Sequence, residues 1–147
     1  MRAVRRGFTL IEMLVVIAVI AILAAVGLPK IQATRMKGIK DSMVADLRNL
    51  VAAQEGFLSV YGDYAGSITS GASQAGSPGK LSYVVSSGNT LALSWKNPKG
   101  TGGPGWSATI TNPKIVKASF KTCGIFIGSS TYAPNAAVKV HGAPTCY

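Results

Sequence analysis

Phe8-Thr9-Leu10-Ile11-Glu12-Met13-Leu14-Val15-Val16-Ile17-Ala18-Val19-Ile20-Ala21-Ile22-Leu23-Ala24-Ala25-Val26-Gly27-Leu28 is a run of 21 residues in which Glu12 is the one ionisable side chain. Wound as a helix, it is about long enough to cross the hydrocarbon core of a bilayer. A carboxylate at the centre of such a span costs on the order of 3 kcal/mol on insertion scales. A plain anchor would work better without it, and no basic residue lies within the run to match it. Glu12 therefore reads as awaiting a positive group on another molecule. The preceding segment, Met1-Arg2-Ala3-Val4-Arg5-Arg6-Gly7, has three arginines and no acid. A cut between Gly7 and Phe8 would place a new α-amino group at the head of the apolar helix, one turn from its own Glu12. In an assembly, the Glu12 of a neighbouring chain would neutralise that amine. A buried ion pair of this kind sets two like helices in one axial stagger, the register role best attested for buried charge.

Two plainer readings fit less well. A secretory signal peptide has a shorter, uncharged apolar core with small residues at its cleavage site. A single-pass anchor accounts for the length but leaves Glu12 without a purpose. Arginines precede the run, but Lys30, Arg35, Lys37 and Lys40 follow it, so flanking charge alone does not set its orientation.

Gly7-Phe8-Thr9-Leu10-Ile11-Glu12, the basic leader before it and Pro29 after it resemble the processing site and helix of type IV pilins and of the pseudopilins of type II secretion. The resemblance runs from Arg5 to about Pro29. It implies cleavage between Gly7 and Phe8 by a prepilin peptidase, N-methylation of Phe8, and assembly into a helical homopolymer by inner-membrane machinery. Thr9, Glu12 and Pro29 would then be assembly residues within the filament core. The sequence departs from the family at Ala21 and Ile31, where many members carry Gly and Tyr. Ala21 removes one residue that lets this helix loosen, and Gly27 beside Pro29 restores some of that freedom.

The 147 residues leave room for one domain beyond the apolar helix. The formal charge is +10, and loss of Arg2, Arg5 and Arg6 with the leader leaves 12 basic and 5 acidic residues, or +7. All five acids (Glu12, Asp41, Asp46, Glu55, Asp63) precede residue 64, and seven lysines (Lys80, Lys96, Lys99, Lys114, Lys117, Lys121, Lys139) follow it. Polyanions such as DNA should be attracted to this cationic part at low salt. It has no arginine and no dense basic cluster after Arg48, so the charge predicts nonspecific attraction and solubility rather than a nucleic-acid motif. Cys123 and Cys146, with 22 residues between them, read as a disulfide closing a C-terminal loop in an oxidising compartment. That places the globular part outside the cytoplasm and the N-terminus inside, in agreement with the leader arginines.

Beyond Pro29 the pattern becomes amphipathic. Met36, Ile39, Met43, Leu47, Leu50, Val51, Phe57, Leu58 and Tyr61 recur at three- and four-residue steps. One helix is expected from about Phe8 to Tyr61, bent near Pro29 and roughly 80 Å long, with Gly62 as its left-handed cap. Residues 65–79 are small and polar and read as a loop. Leu81–Val85 and Thr90–Trp95 read as a hairpin around Ser86-Ser87-Gly88-Asn89. Lys99–Gly105 reads as a turn and lacks the ending of a phosphate loop. Trp106–Thr111 is a third strand, broken by Asn112-Pro113. Val116–Phe120 with Cys123–Ile127 suggest a further strand or bulged pair, and Ala136–Val140 is a candidate last strand. The expected fold class is α+β, a long N-terminal helix packed on an antiparallel sheet. The expected division is leader 1–7, membrane and filament-core helix 8–28, amphipathic helix 29–62 and globular sheet domain 63–147.

Catalysis finds no support. After Asp63 the globular part has no carboxylate side chain for acid–base work, and its single histidine, His141, has no evident partner. Two thiols and one distant histidine do not make a metal site, and no cofactor is expected. The reading is of a structural subunit: a type IV pilin at the cell surface, serving adhesion, twitching motility or DNA uptake. A type II secretion pseudopilin is the competitor, assembling a periplasmic pseudopilus. Its usual calcium loop needs carboxylates that are absent after Asp63. A membrane-tethered binding module, uncut and monomeric, is a third reading.

Overall fold

The computed structural model describes residues 7–69, 80–96, 103–116 and 120–147. It divides into two compact units, Met1–Met36 and Lys37–Tyr147. One helix, α1, Leu10–Tyr61, contributes to both. Assigned helix continues through Pro29, which lacks the N–H that would bond back to the preceding turn. The helix stops where the sequence places a cap. Gly62 takes φ 75° and its N–H reaches the Leu58 carbonyl at 2.8 Å, a conformation that costs glycine little.

In the second unit Met43, Leu47, Leu50, Gln54 and Phe57 form the buried stripe of α1. Their steps alternate between four and three residues, the spacing of one helix face. Met43, Leu47 and Leu50 are fully buried, and burial of each such side chain contributes about 1.5–3 kcal/mol. The partner surface is a four-stranded antiparallel sheet in the order β3 (Thr90–Lys96), β4 (Gly105–Thr111), β5 (Thr122–Ile127) and β6 (Thr145–Cys146). Alternation along the strands decides what each face does. Trp106, Ala108 and Ile110 of β4 and Cys123, Ile125 and Ile127 of β5 join the helix stripe in one core. Ser107, Gly124 and Phe126 lie on the other face, where the C-terminal segment crosses. There a Cβ on Gly124 would sit 2.8 Å from Pro134 Cγ and 3.3 Å from Val138, so only glycine lets the segment lie this close. The Gly142 N–H bonds the Phe126 carbonyl at 3.0 Å, and the His141 ring stands edge-on to Phe126.

Two polar side chains in the helix stripe hold the loops down. Gln54 is fully buried and grips one residue twice. Its amide donates to the Ala65 carbonyl at 3.2 Å and its oxygen accepts from the Ala65 N–H at 2.9 Å. Asp46, 5% exposed, accepts from Ser86 N–H (3.0 Å), Ser86 Oγ (2.8 Å) and Asn89 Nδ2 (2.6 Å). Asn112 Nδ2 in turn donates to Asn89 Oδ1 at 2.8 Å, and Tyr83 Oη donates to the Asp46 carbonyl at 2.6 Å.

That network corrects the expected hairpin. Leu81–Val85 does not pair with Thr90–Trp95. Instead β2 (Lys80–Ser82) pairs in parallel with β1 (Ser67–Thr69) in a separate two-stranded sheet, and β3 pairs with β4. The turn chemistry of Ser86–Asn89 is real, but its donors are taken by Asp46 forty residues away. β1 also lies within the stretch read as pure loop; residues 70–79 are outside the described set. The turn expected at Lys99–Gly105 is largely outside it too, although Lys96 faces Gly105 across the ladder. Phe120 belongs to a helical turn rather than a strand, Val116 has no strand assignment, and 117–119 are not described. The last strand is Thr145–Cys146, not Ala136–Val140. In the latter, Asn135 Oδ1 takes the Ala137 N–H and the Asn135 carbonyl takes the Val138 N–H, which winds the segment into a turn that buries Val138.

Two tyrosines give the second unit an alkaline limit. Burial, with the nearby Asp46 carboxylate, pushes the Tyr83 hydroxyl up to about 12. Burial and the 3.0 Å hydrogen bond to Glu55 do the same for Tyr64, also to about 12. An unfolded tyrosine titrates near 10. The neutral phenol is the form the fold prefers, so this contribution is complete below about pH 10 and is lost as pH rises through 12. Thermal melts should show a midpoint that falls steeply between those values. Tyr83→Phe should start about 1 kcal/mol less stable, from the lost hydrogen bond, and fall less steeply.

Candidate functional site

Thr9 opens α1 in a reciprocal cap. The Glu12 N–H donates to Thr9 Oγ1 at 3.3 Å, and the Thr9 N–H and hydroxyl donate to Glu12 Oε2 at 3.4 and 3.5 Å. The first helical bond, Met13 N–H to the Thr9 carbonyl, follows at 3.3 Å. This Thr-x-x-Glu arrangement satisfies donors that a helix start leaves orphaned, and the acid suits the positive end of the helix dipole. The sequence reading placed Thr9 and Glu12 in one site but missed this bond between them. The signal was present as a threonine three residues before an acid at the start of an apolar run.

The cap engages Glu12 through Oε2 alone. Around it the helix is not covered by any of the described residues of its own chain. Phe8, Leu10, Ile11, Ile17, Ile22 and Leu23 are each more than 60% exposed. A membrane-length window of α1 has mean hydropathy 2.9 with none of it buried. So large an exposed apolar surface marks contact with lipid or another protein. Gly7 precedes the cap in an exposed, non-helical position, with nothing within 4 Å of where a Cβ would stand. Pro29 lies inside the helix, and one turn further Thr34 Oγ1 bonds back to the Lys30 carbonyl at 3.0 Å.

Cys123 and Cys146 are joined by a disulfide and sit directly opposite each other in the β5–β6 ladder. Tyr147 extends that ladder by exchanging two bonds with Thr122, at 2.8 and 3.1 Å. The bridge closes a loop with sequence separation 23, which stabilises by about 3 kcal/mol in the chain-entropy model. Reductant should therefore loosen the β5–β6 edge and lower the melting midpoint while far-UV helix signal persists. Equal stability with and without reductant would contradict this role.

Among the described lysines of the globular part, Lys80, Lys114, Lys121 and Lys139 are exposed. The side chain of Lys96 and all of Lys99 and Lys117 lie outside the described set. His141 is exposed and touches Phe126 only edge-on. No group of three potential metal ligands occurs among the described residues.

A family model described as the prokaryotic N-terminal methylation motif matches residues 2–28, a stretch that includes the head of α1. The chain is 41% identical over 61 residues to the fimbrial protein EcpC of Eikenella corrodens, covering 42% of this chain and 37% of that protein. It is 50% identical over 50 residues to the type IV wide pilus major component PilA4 of Thermus thermophilus, covering 34% and 38%. It is 38% identical over 66 residues to the type IV major pilin PilA of Myxococcus xanthus, covering 43% and 30%. The matched stretch spans about a third of the length of these relatives. No solved structure matches.

Proposed function

We propose that this chain is a structural subunit of a type IV pilus. It is made as an inner-membrane precursor with its N-terminus in the cytoplasm, cut between Gly7 and Phe8 by a prepilin peptidase, and methylated on Phe8. Inner-membrane machinery then assembles it through residues 8–28 into a surface filament, with Glu12 of one copy against the freed amine of the next. Residues 29–62 and 63–147 form the outward-facing helix and sheet. The observation that carries the reading is a methylation motif over residues 2–28 that takes in the start of a capped apolar helix, with an acid in its first turn and no cover from the described residues. The role is mechanical rather than catalytic.

A pilus is favoured over a type II secretion pseudopilus by the names of the relatives and by the Cys123–Cys146 bridge, which closes the C-terminal region without a metal. The lysines that follow Asp63 supply weak, salt-sensitive attraction for polyanions, DNA included, whichever of adhesion, motility or DNA uptake the filament serves. Replacing Gly7 tests the processing step. Gly7→Leu puts a branched side chain at the cut and should leave all of the protein as a heavier precursor band in cells that process the parent chain. Normal cleavage of that variant would contradict the assigned bond. An uncut, monomeric parent would favour the tethered module.

A further inference from the structure

Within the second unit, positive charge collects at the end where the chain enters. Lys37 and Lys40 stand at the start of the α1 segment that belongs to this unit. The Lys40 ammonium lies 5.8 Å over the Phe120 ring, which brings Lys121 to the same end. Ser42 and Asp46 reach Asn89, Asn89 holds Asn112, and Asn112 begins a tight turn closed by Ile115 N–H to the Asn112 carbonyl at 3.1 Å. Lys114 occupies that turn, its N–H fixed at 3.0 Å by Asn112 Oδ1. Ile115 is 2% exposed and anchors the turn, which leaves Val116 87% exposed beside Lys114. Four lysines from three segments thus collect at this end, where Val116 is exposed two residues from Lys114. Of the described side-chain carboxylates near Lys37 and Lys40 in sequence, Asp41 is exposed and Asp46 buried, and the Tyr147 main chain pairs with Thr122 beside Lys121. The chain enters this unit at Lys37, and Lys30 and Arg35 lie between Lys37 and the apolar run in sequence.

We propose that Lys37, Lys40, Lys114, Lys121 and Val116 form a platform for anionic phospholipid headgroups, engaged while residues 8–28 hold the chain in the membrane; it rests on that span reading. Basic residues next to a span are drawn to an anionic surface within about a Debye length. An exposed valine among them adds apolar contact at the acyl boundary, as in proteins that lie on a membrane interface. Lipid is preferred to nucleic acid because the charge is joined covalently to the apolar helix and includes an apolar residue that a phosphodiester backbone has no use for.

The test uses the full chain reconstituted into vesicles of phosphatidylcholine alone or with phosphatidylglycerol. Carbonate washing reports whether the span is inserted, and mass spectrometry after brief acetylation reports each lysine. In anionic vesicles Lys37, Lys40, Lys114 and Lys121 should react several-fold more slowly than in neutral ones. Lys80 and Lys139, which are not part of this group, should be unchanged, and high salt or Val116→Ser should remove much of the difference. Equal rates in the two vesicles, equal slowing of Lys80 and Lys139, or equal protection by duplex DNA added to neutral vesicles would overturn the platform with the span intact. Protein stripped by carbonate would overturn the span reading and the platform with it.

Discussion

Glu12→Gln is expected to leave α1 capped and the chain in the membrane, and to abolish filaments. Glutamine at the third helical position serves a threonine cap as glutamate does. The substitution therefore keeps the contacts between Thr9 and residue 12 and removes only the charge. Taking one partner from a buried ion pair leaves the other uncompensated, at about 3–5 kcal/mol. At 1.4 kcal/mol per tenfold, each subunit contact weakens by roughly two to three and a half orders of magnitude. Thr9→Ala is the complement. It removes the cap, at about 1 kcal/mol, and keeps the acid, so filaments should form with a frayed first turn. Electron microscopy of sheared surface protein separates the two. Normal filaments from Glu12→Gln would assign Glu12 to capping alone.

The second large effect lies at Asp46. Asp46→Ala leaves buried Asn89 Nδ2 with only Ser42 Oγ at 3.3 Å, and removes the acceptor of Ser86 N–H and Ser86 Oγ at a part-buried position. Unsatisfied buried donors cost about 1–3 kcal/mol each, with partial relief from solvent entry. Because water reaches the Ser86 donors, the expected loss is about 2 kcal/mol, a fall of roughly 8 °C in melting midpoint for a unit of this size. Asp46→Asn keeps one acceptor oxygen and should lose about half as much. Circular dichroism melts of the detergent-solubilised chain measure both. A change below about 1 kcal/mol for Asp46→Ala would mean the 83–89 segment is held by other contacts.

These two residues also show what was legible in the sequence. The acid at position 12 stood out because local hydropathy made it anomalous, and the helix was readable from spacing that depends only on neighbours. The C-terminal bridge followed from having two cysteines. Asp46 and Gln54 looked like ordinary interruptions of an apolar stripe. Their role is set by partners far along the chain, Ser86 and Asn89 for one and Ala65 for the other. The Ser86–Asn89 turn was correctly seen as a turn but wrongly given to a hairpin, because local turn chemistry does not reveal which distant group takes its donors. Ala136–Val140 had strand-like composition, yet Asn135 winds it by a short-range side-chain bond of the kind that competes with extended structure. The Thr9–Glu12 cap is fully local, written in a threonine three residues before an acid, although the same acid also suits an intermolecular partner.

The central claim is that a matured N-terminus and Glu12 meet between copies in a polymer. Mass spectrometry of protein sheared from the cell surface tests it most directly. The expected result is polymeric material whose chains begin at Phe8, carry one methyl group on that amine and hold Cys123 and Cys146 oxidised. Protein that retains residues 1–7 and is recovered only as a monomer would contradict it.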